Sequence, residues 1–336
     1  MRANATLEAV ERRLSRALAP PACAYRPLRV DGAVAGWLTA ERTERIAAFA
    51  DVFRVNSDGI AFVPALADRT TRSHAIARVA AVLAAEGALT AWRNERYAAA
   101  PAFAAPPWFD VERAAARYFG IHTWAAHVNG LVRHGDQTLM WFARRSPHKA
   151  IDPGKWDNLV GGGIAAGTSV ADTVVKEAWE EAGISPSIAL SAVAADTVQI
   201  RRDQPDGLDW ETIFVHDLWL PADFAPANQD GEAVGHRLVT LDDAACLIAI
   251  QDGPDEVTAD ASLVILNCLW RHGAIPTDAA SHRALEGLRS RAVHSLRSGP
   301  LVQSAESKNL LSAGWASRKS VAKPHDFRRN GRRKRE

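Results

Sequence analysis

The stretch at residues 162–184, GGIAAGTSVADTVVKEAWEEAGI, constrains the fold of this chain more than any other. A glycine-rich run precedes a helical pattern that starts after Ser169, with Asp172 three residues later, as in a capping box. Gly183 stands where the pattern ends, and glycine suits the left-handed residue that terminates many helices. The stretch therefore predicts a loop, a helix of about three turns and a second loop.

Three glutamates share one side of this helix. Glu177, Glu180 and Glu181 fall within a narrow arc because an α-helix turns by about 100° per residue. An apolar stripe should bury another side of the helix and leave the carboxylates facing away from the core. The stripe consists of Ala171, Val175, Ala178 and Ala182. Carboxylates this close repel one another unless a cation lies between them, and Mg²⁺ prefers hard oxygen ligands. The three glutamates therefore predict a Mg²⁺ site, with Mn²⁺ as the alternative ion.

The segment resembles the Nudix box, which reads Gly, five residues, Glu, seven residues, Arg-Glu, an aliphatic residue, any residue, Glu-Glu, any residue, Gly and an aliphatic residue. Six of the nine specified positions match, namely Gly162, Glu177, Glu180, Glu181, Gly183 and Ile184. Thr168 replaces the first glutamate, Lys176 replaces the arginine, and Ala178 replaces a larger aliphatic residue. The resemblance implies a Nudix hydrolase that cleaves a diphosphate linkage with the help of bound Mg²⁺.

Further segments, at residues 91–100, 119–130, 144–164 and 214–233, resemble one Nudix subgroup. In this subgroup a domain of unknown function precedes the hydrolase domain, as in the Nudix half of fungal thiamine pyrophosphokinases. The resemblance implies that the substrate is thiamine diphosphate or an oxidised form of it, cleaved to the monophosphate and phosphate. Nucleotide sugars, ADP-ribose and dinucleoside polyphosphates stay open as substrates, because the box identifies the diphosphate and not the group attached to it.

Glu180 and Lys176 are the expected catalytic residues of the helix, with Lys176 orienting a neighbouring glutamate through a salt bridge. The attacking water also needs a general base that is not occupied by the metal ion. Glu232 matches the family position best and is our first choice, and Glu211 is the alternative.

The substrate is expected to contact glycine backbone, basic side chains and one aromatic ring. These residues are Gly161, Gly162, Gly163, Arg144, Arg145, Lys149 and Trp124. The basic side chains are equally compatible with an ordinary surface loop, and tryptophan with packing in the core. His122 and His127 flank Trp124 and are further candidates near the ring of the substrate, as are Trp92 and Trp141.

The predicted fold class is α+β, with a Nudix α/β/α sandwich around a mixed sheet and a smaller α+β domain before it. We place the N-terminal domain at residues 1–118, the Nudix domain at 119–285 and a C-terminal extension at 286–336. Residues 98–109, AAAPAFAAPPWF, have the composition of a linker that runs over the surface, and residues 109–118 have a helical pattern.

The composition is that of an ordinary globular protein, with 47% hydrophobic and 24% charged residues among 336. The N-terminal segment has an amphipathic pattern without a secretory apolar block, which favours the cytoplasm and no association with a membrane. Cys23, Cys246 and Cys268 have no metal-ligand spacing and are expected to be reduced.

The end of the chain is strongly basic. Residues 318–336 contain nine Lys or Arg residues against Asp326 and Glu336, and few apolar side chains, so we predict disorder. This tail would contact nucleic acid or simply increase solubility. The partner expected for the rest of the chain is a small-molecule diphosphate. Because Thr168 and Lys176 depart from the box, a catalytically weak or silent metabolite sensor is the alternative to an enzyme.

Overall fold

The structure is a computed structural model that describes residues 2–19, 24–275 and 286–288. The predictions about Cys23 and about the basic tail at 318–336 lie outside these residues. Of the other cysteines, Cys246 is exposed and Cys268 is buried, and both are free thiols. Within the described residues, no helix combines the length and the apolar character that crossing a membrane requires.

The first part of the chain contains a four-stranded sheet with the strand order β2-β1-β4-β3, in which β1 and β4 are parallel. The elements are α1 (Arg2–Ala17), β1 (Tyr25–Val30), β2 (Ala33–Thr39), α2 (Ala40–Ala47), β3 (Phe53–Asn56), β4 (Gly59–Phe62), α3 (Arg69–Ala85), β5 (Arg96–Ala99), β6 (Phe109–Glu112) and α4 (Arg113–Ala116). Apolar residues of these strands and of α3 form one core, in which Leu28, Ile60 and Ile76 are fully or almost fully buried.

The second part contains a seven-stranded sheet. The elements are β7 (Thr123–His134), β8 (Gln137–Arg145), β9 (Trp156–Asn158), β10 (Val160–Gly163), α5 (Val170–Ala182), α6 (Pro186–Ala189), β11 (Val193–Gln204), β12 (Gly207–Leu220), β13 (Ala233–Thr240), α7 (Leu241–Leu247) and α8 (Ala259–Arg271). The main strand order is β11-β12-β7-β8-β13, while β10 pairs with β7 and β9 pairs with β8. The sheet is mixed because β12 and β7 are parallel and the other pairs are antiparallel.

Two apolar cores cover the two faces of the seven-stranded sheet. On one face α5 packs through Val174, Ala178 and Ala182. On the other face α7 and α8 form a larger core, and α1 joins them although it precedes the first sheet in the chain. This arrangement confirms the predicted α+β class with helices on both faces of a mixed sheet. The division of the chain at residues 118 and 285 stays a prediction.

The predicted linker at residues 98–109 is wrong. β5 and β6 pair as an antiparallel hairpin across this stretch, with Ala99 opposite Phe109. Alanine and proline give the stretch the composition of a linker, but Phe109 is fully buried in the first core. The helix expected at 109–118 is shortened to α4 because its first residues belong to β6. The hairpin lies against the candidate active site, where Tyr97 of β5 lines the cavity.

Candidate active site

The three consecutive glycines lie in a strand, which corrects the prediction of a loop. Gly161, Gly162 and Gly163 belong to β10 and pair with His127, Ala126 and Ala125 of β7. Side chains from elsewhere occupy the space beside each glycine. A β-carbon at Gly162 would overlap Glu177, and one at Gly163 would overlap the Tyr97 hydroxyl. The glycines therefore let two functional side chains approach the strand closely, which no other residue type permits.

Helix α5 begins and ends as the sequence predicts. The Ser169 hydroxyl accepts a hydrogen bond from the backbone N–H of Asp172 at 3.1 Å. Gly183 adopts the left-handed conformation with φ of 65° and closes the helix. The predicted orientation needs correction, however. Ala171 is exposed, and Glu181, expected to face away from the core, is only 7% exposed. Ala178 and Ala182 of the predicted stripe are buried, but the buried side of the helix also includes Thr173, Val174 and Glu181.

Glu181 lies behind the glycine strand. Its Oε2 accepts a hydrogen bond from the Gly161 backbone N–H at 2.8 Å, and the Lys149 ammonium lies 3.5 Å from its Oε1. Burial raises the pKa of Glu181 to about 8, although Lys149 and the Gly161 N–H both act to lower it. A buried carboxyl group of this kind gains from a cation, because the cation compensates for the water that the carboxylate has lost.

Glu177 and Glu180 already share a cation. The Lys176 ammonium lies 2.9 Å from Glu177 Oε1 and 2.9 Å from Glu180 Oε2. Burial raises the pKa of Glu177 even though Lys176 opposes the shift. The same two carboxylates raise the pKa of Lys176 against the effect of its burial. The Lys176 side chain is 54% exposed, so it can move away without breaking any packed core.

A second group of charges connects Glu232 to the helix. Glu232 forms an ion pair with Lys149, which also reaches Glu181, and a hydrogen bond with Arg93 Nη1 at 2.9 Å. Burial acts to raise the pKa of Glu232, but Lys149 and Arg93 outweigh burial and lower the pKa to about 2. Glu232 is therefore ionised and held by two cations.

The three glutamates of α5 do not converge on one point as they stand. Among the described residues, the one trio of potential metal ligands whose atoms all lie within 4.8 Å of one another is Asp217, Cys268 and His272. Arg271 contacts both oxygens of Asp217, one at 2.9 Å, so a guanidinium already satisfies that carboxylate. The donor set at α5 fits a hard divalent ion better. The exposed ammonium of Lys176 bridges the carboxylates of Glu177 and Glu180, and oxygen ligands are what Mg²⁺ prefers.

These side chains border a cavity of approximately 390 Å³. Its lining includes most of the predicted site, namely Gly161, Gly162, Gly163, Arg145, Lys149, Lys176, Glu177, Glu180 and Glu232. Glu181 is not part of the lining, because it lies behind Gly161. The volume is that of a pocket for a small metabolite.

Trp124 and Arg144 lie away from the cavity. Trp124 is 6% exposed and packs with Ala100, Ile164 and Phe103. The Arg144 guanidinium lies over the ring of Trp156 at 5.1 Å. The indole of Trp124 is therefore packed among protein side chains and does not line the cavity. Trp92 is 41% exposed, and Trp141 packs against the core on the α5 side.

The two histidines have different surroundings. His127 lines the cavity, and its Nδ1 lies 2.9 Å from Asn158 Oδ1. His122 is stacked on Trp210 with ring centroids 4.5 Å apart, and its Nε2 lies 2.9 Å from Thr212 Oγ1. Burial and the nearby Arg201 lower the pKa of His122 to about 3, so its ring is neutral.

The alternative base, Glu211, also lines the cavity, from strand β12. The Thr123 hydroxyl donates a hydrogen bond to its Oε1 at 3.3 Å. Burial, together with the charges of Asp209 and Asp260, raises the pKa of Glu211 to about 8, although Arg117 and Arg113 act in the opposite direction.

The first part of the chain also brings residues to the cavity that were not predicted from the sequence. These are Thr90, Ala91, Arg93, Glu95, Tyr97, Arg113, Ala114, Ala116 and Arg117. Arg93 and Tyr97 fall in the segment at 91–100 that resembles the Nudix subgroup, so a signal for them was present but had no assigned role. No pattern in the sequence distinguishes Arg113 or Arg117.

Comparison with known families and proteins agrees with this architecture. Residues 11–123 match a family described as a domain of unknown function, DUF4743, and residues 123–261 match the NUDIX domain. Nudix hydrolase 20, chloroplastic, of Arabidopsis thaliana is 35% identical over 277 residues, which are 80% of this chain and 73% of that protein. Nudix hydrolase 24, chloroplastic, of the same plant is 35% identical over 77% of this chain and 70% of its own length.

Solved structures of low identity are similar to a part of the chain. The NUDIX domain of Shewanella oneidensis NrtR complexed with ADP ribose has a TM-score of 0.36 at 17% identity, covering 46% of this chain and 90% of that one. A C. elegans Ap4A hydrolase has a TM-score of 0.33 at 13% identity, covering 46% and 99%. The identity to the two plant proteins over most of their length, together with the NUDIX match, shows that the chain belongs to the Nudix hydrolase family and is a pyrophosphohydrolase.

Proposed function

We propose that this protein hydrolyses the diphosphate linkage of a small metabolite in a Mg²⁺-dependent reaction. The observation that carries the proposal is the pair Glu177 and Glu180, which face a cavity of metabolite size and are bridged by one ammonium group. Two carboxylates that share one positive charge beside a cavity form a ready site for a divalent cation and the phosphates that accompany it.

Glu177 and Glu180 are the residues that would hold Mg²⁺, with Mn²⁺ as the alternative, and Glu181 would join them or support them from behind Gly161. When bound, the ion would withdraw charge from the phosphate oxygens and lower the pKa of the attacking water. Lys176 would then release the carboxylates and remain close to them as a positioning group. Lys149 and Arg145 line the cavity and would donate charge-assisted hydrogen bonds to phosphate oxygens.

The general base would be Glu232, with Glu211 as the alternative, since both line the cavity. Glu232 is ionised and therefore ready to accept a proton, but a pKa lowered to about 2 makes it a weak base. Glu211 has the opposite character, because a pKa raised to about 8 makes it a stronger base that is mostly protonated at neutral pH. The dependence of the rate on pH distinguishes the two bases.

For the substrate we propose thiamine diphosphate or an oxidised derivative, cleaved to the monophosphate and inorganic phosphate. Support comes from the resemblance of four segments to the subgroup that includes the Nudix half of fungal thiamine pyrophosphokinases, and from the matched N-terminal domain. ADP-ribose and nucleotide sugars are the competing substrates. We also propose a cytoplasmic location, whereas the two plant relatives are named as chloroplastic proteins.

The test is phosphate release from a panel of diphosphates, with and without Mg²⁺, for the full chain. The panel includes thiamine diphosphate, its oxidised derivatives, ADP-ribose, UDP-glucose and diadenosine tetraphosphate, and an added phosphatase reports products that are monophosphate esters. We expect turnover of a thiamine derivative that EDTA abolishes and Mg²⁺ restores. Preferred turnover of ADP-ribose would reject the thiamine assignment but keep the reaction type.

A silent metabolite sensor is the second candidate, and one observation favours it. Lys176 stands where the family has arginine, and its ammonium already lies between Glu177 and Glu180. An ammonium that stayed in place would compete with Mg²⁺ and abolish turnover. No phosphate release from any member of the panel at high protein concentration, combined with tight binding of one of them, would support the sensor and reject the hydrolase.

A further inference from the structure

The domain of unknown function contributes a wall of the cavity in the Nudix domain. Its residues 90–117 supply three arginines and one tyrosine to the lining, namely Arg93, Arg113, Arg117 and Tyr97. These residues lie within the stretch matched at 11–123, ahead of the NUDIX match at 123–261. The two matched regions thus enclose one cavity between them, and the first region is positioned to contact whatever the second region binds.

The wall is firmly attached to the glycine strand. The Ala166 backbone N–H, just after β10, donates a hydrogen bond to the Arg96 carbonyl of β5 at 2.7 Å. Ala100, which follows β5, packs against Trp124 and Ile164. Tyr97 fills the space beside Gly163 that a β-carbon would occupy, and it is 7% exposed. The β5–β6 hairpin therefore holds a fixed position against the strand that carries the candidate site.

The Tyr97 hydroxyl is a hydrogen-bond donor at the cavity. Among the described residues it makes no hydrogen bond, although the residue is more than nine-tenths buried. Burial raises the pKa of Tyr97, so the hydroxyl keeps its proton. With no partner among the described residues, this hydroxyl is available to a ligand or a water molecule in the cavity.

The three arginines differ in how far protein carboxylates neutralise them. Arg117 lies between Asp206 at 3.7 Å and Asp209 at 3.5 Å, and its side chain is 21% exposed. Arg93 is paired with Glu232. Arg113 donates from Nη1 to Glu95 at 2.7 Å, lies over the Tyr97 ring at 5.8 Å and keeps 42% of its side chain exposed at the cavity. A guanidinium has five N–H donors, so Arg113 retains donors for a ligand.

The charge of Arg113 acts on the carboxyl groups of Glu177, Glu211 and Glu232, which places it near the centre of the candidate site. Arginine forms paired hydrogen bonds with phosphate oxygens more effectively than lysine does.

We propose that Arg113, supported by the ring of Tyr97, binds the diphosphate group of the substrate, so that the domain of unknown function is a substrate-recognition part of the active site. The inference rests on the proposed hydrolysis of a diphosphate, because that reaction brings the anion to the cavity. Arg113 is in this view a substrate-binding residue. The Tyr97 hydroxyl supplies a further hydrogen bond to the same anion.

The experiment measures binding of methylenediphosphonate, a diphosphate that cannot be hydrolysed, to the full chain in Mg²⁺ by calorimetry, and in parallel kcat and KM for the best substrate. Arg113→Ala should weaken probe binding about tenfold or more, which corresponds to about 1.4 kcal/mol. KM should rise by a similar factor, with kcat changed less. Arg113→Lys should restore part of the affinity, because the charge returns without the planar fork.

The matched control is Arg69→Ala. Arg69 is an arginine of the same region, its ion pair with Asp110 at 2.8 Å resembles that of Arg113 with Glu95, and its side chain is 48% exposed. Because Arg69 does not line the cavity, its replacement should leave KM and probe affinity unchanged. Equal effects of the Arg69 and Arg113 replacements, or no effect of either, would overturn the inference.

Glu95→Gln keeps the inference testable if Arg113→Ala does not fold. Removing the negative charge of Glu95 leaves Arg113 with a less neutralised guanidinium, so the probe should bind at least as tightly as in the wild type. Weaker binding would overturn the inference.

A wild-type protein that binds the probe through Arg113 but hydrolyses no diphosphate would reject the proposed function and keep this inference. Hydrolysis with unchanged KM and probe affinity in Arg113→Ala would reject this inference alone.

Discussion

The side chain of Glu177 occupies the space beside Gly162 that a β-carbon would need. Gly162 lies in a regular strand and pairs with Ala126, so its backbone conformation does not require a glycine. The close approach of the Glu177 side chain does. The same glycine is the first specified position of the box, and its match to the family pattern has a direct physical reason here.

Gly162→Ala should reduce kcat by about 100-fold or more, since a 1 Å displacement of a positioned group has an effect of that size. The new methyl group must displace the carboxylate of Glu177, but this is the far end of a side chain, so we expect the unfolding temperature to fall only slightly. Gly235→Ala is the control, because the nearest neighbour of a β-carbon there is Arg144 Cβ at 3.8 Å. Full activity of Gly162→Ala would show that Glu177 has no role in turnover.

Glu181→Gln should reduce turnover by orders of magnitude while leaving the free energy of unfolding unchanged or slightly higher. Glutamine keeps an oxygen to accept the hydrogen bond from Gly161, and it removes a carboxylate that burial disfavours. Steady-state kinetics and thermal unfolding check the two halves of this prediction. Glu8→Gln, on the exposed side of α1, serves as the control for a lost negative charge. A Glu181→Gln protein with normal turnover would remove this residue from the metal site.

Local signals were sufficient to predict helix α5, because its caps depend on Ser169, Asp172 and Gly183 within one short segment. The strand character of the glycines was not predictable in the same way, since it depends on pairing with β7 more than thirty residues earlier in the chain. Helical periodicity correctly predicted the burial of Ala178 and Ala182, but the burial of Glu181 and Val174 depends on how α5 packs against the sheet.

The positions of Tyr97 and Arg113 at the cavity could not be predicted from sequence patterns either, because they also depend on contacts between distant segments. These residues meet Gly163 and the helix only after the β5–β6 hairpin has packed against the second sheet. The composition of residues 98–109 suggested a linker, and composition does not report which small side chains are buried.

His122 should make the protein less stable in mild acid. Its pKa of about 3 in the folded state lies below the value of about 6.5 in an unfolded chain, so the unfolded state binds more protons between these limits. The contribution of His122 to the free energy of unfolding is complete above pH 6.5 and decreases as pH falls towards 3. By pH 5 the loss amounts to about 2 kcal/mol.

Urea unfolding of the wild type and of His122→Phe at pH 7.5 and pH 5 measures this loss. Phenylalanine keeps a flat ring against Trp210 but cannot bind a proton, so the variant should lose less free energy of unfolding than the wild type over this range. The hydrogen bond with Thr212 is lost at both pH values and cancels in the comparison. Equal losses in the two proteins would contradict a His122 ring that stays neutral in the folded state at pH 5.

The dependence of kcat/KM on pH should identify the general base. A base must be deprotonated to act, so activity rises with pH around its pKa. With Glu232 as the base, whose pKa Lys149 and Arg93 lower to about 2, kcat/KM should be level from pH 5 upwards until another group titrates. With Glu211 as the base, kcat/KM should rise about tenfold per pH unit up to a midpoint near pH 8.

Glu232→Gln and Glu211→Gln complete the comparison. Replacing the true base should remove most of the turnover, while replacing the other glutamate should leave the shape of the pH profile unchanged. A rising profile that persists in Glu211→Gln would exclude Glu211 and require a third residue.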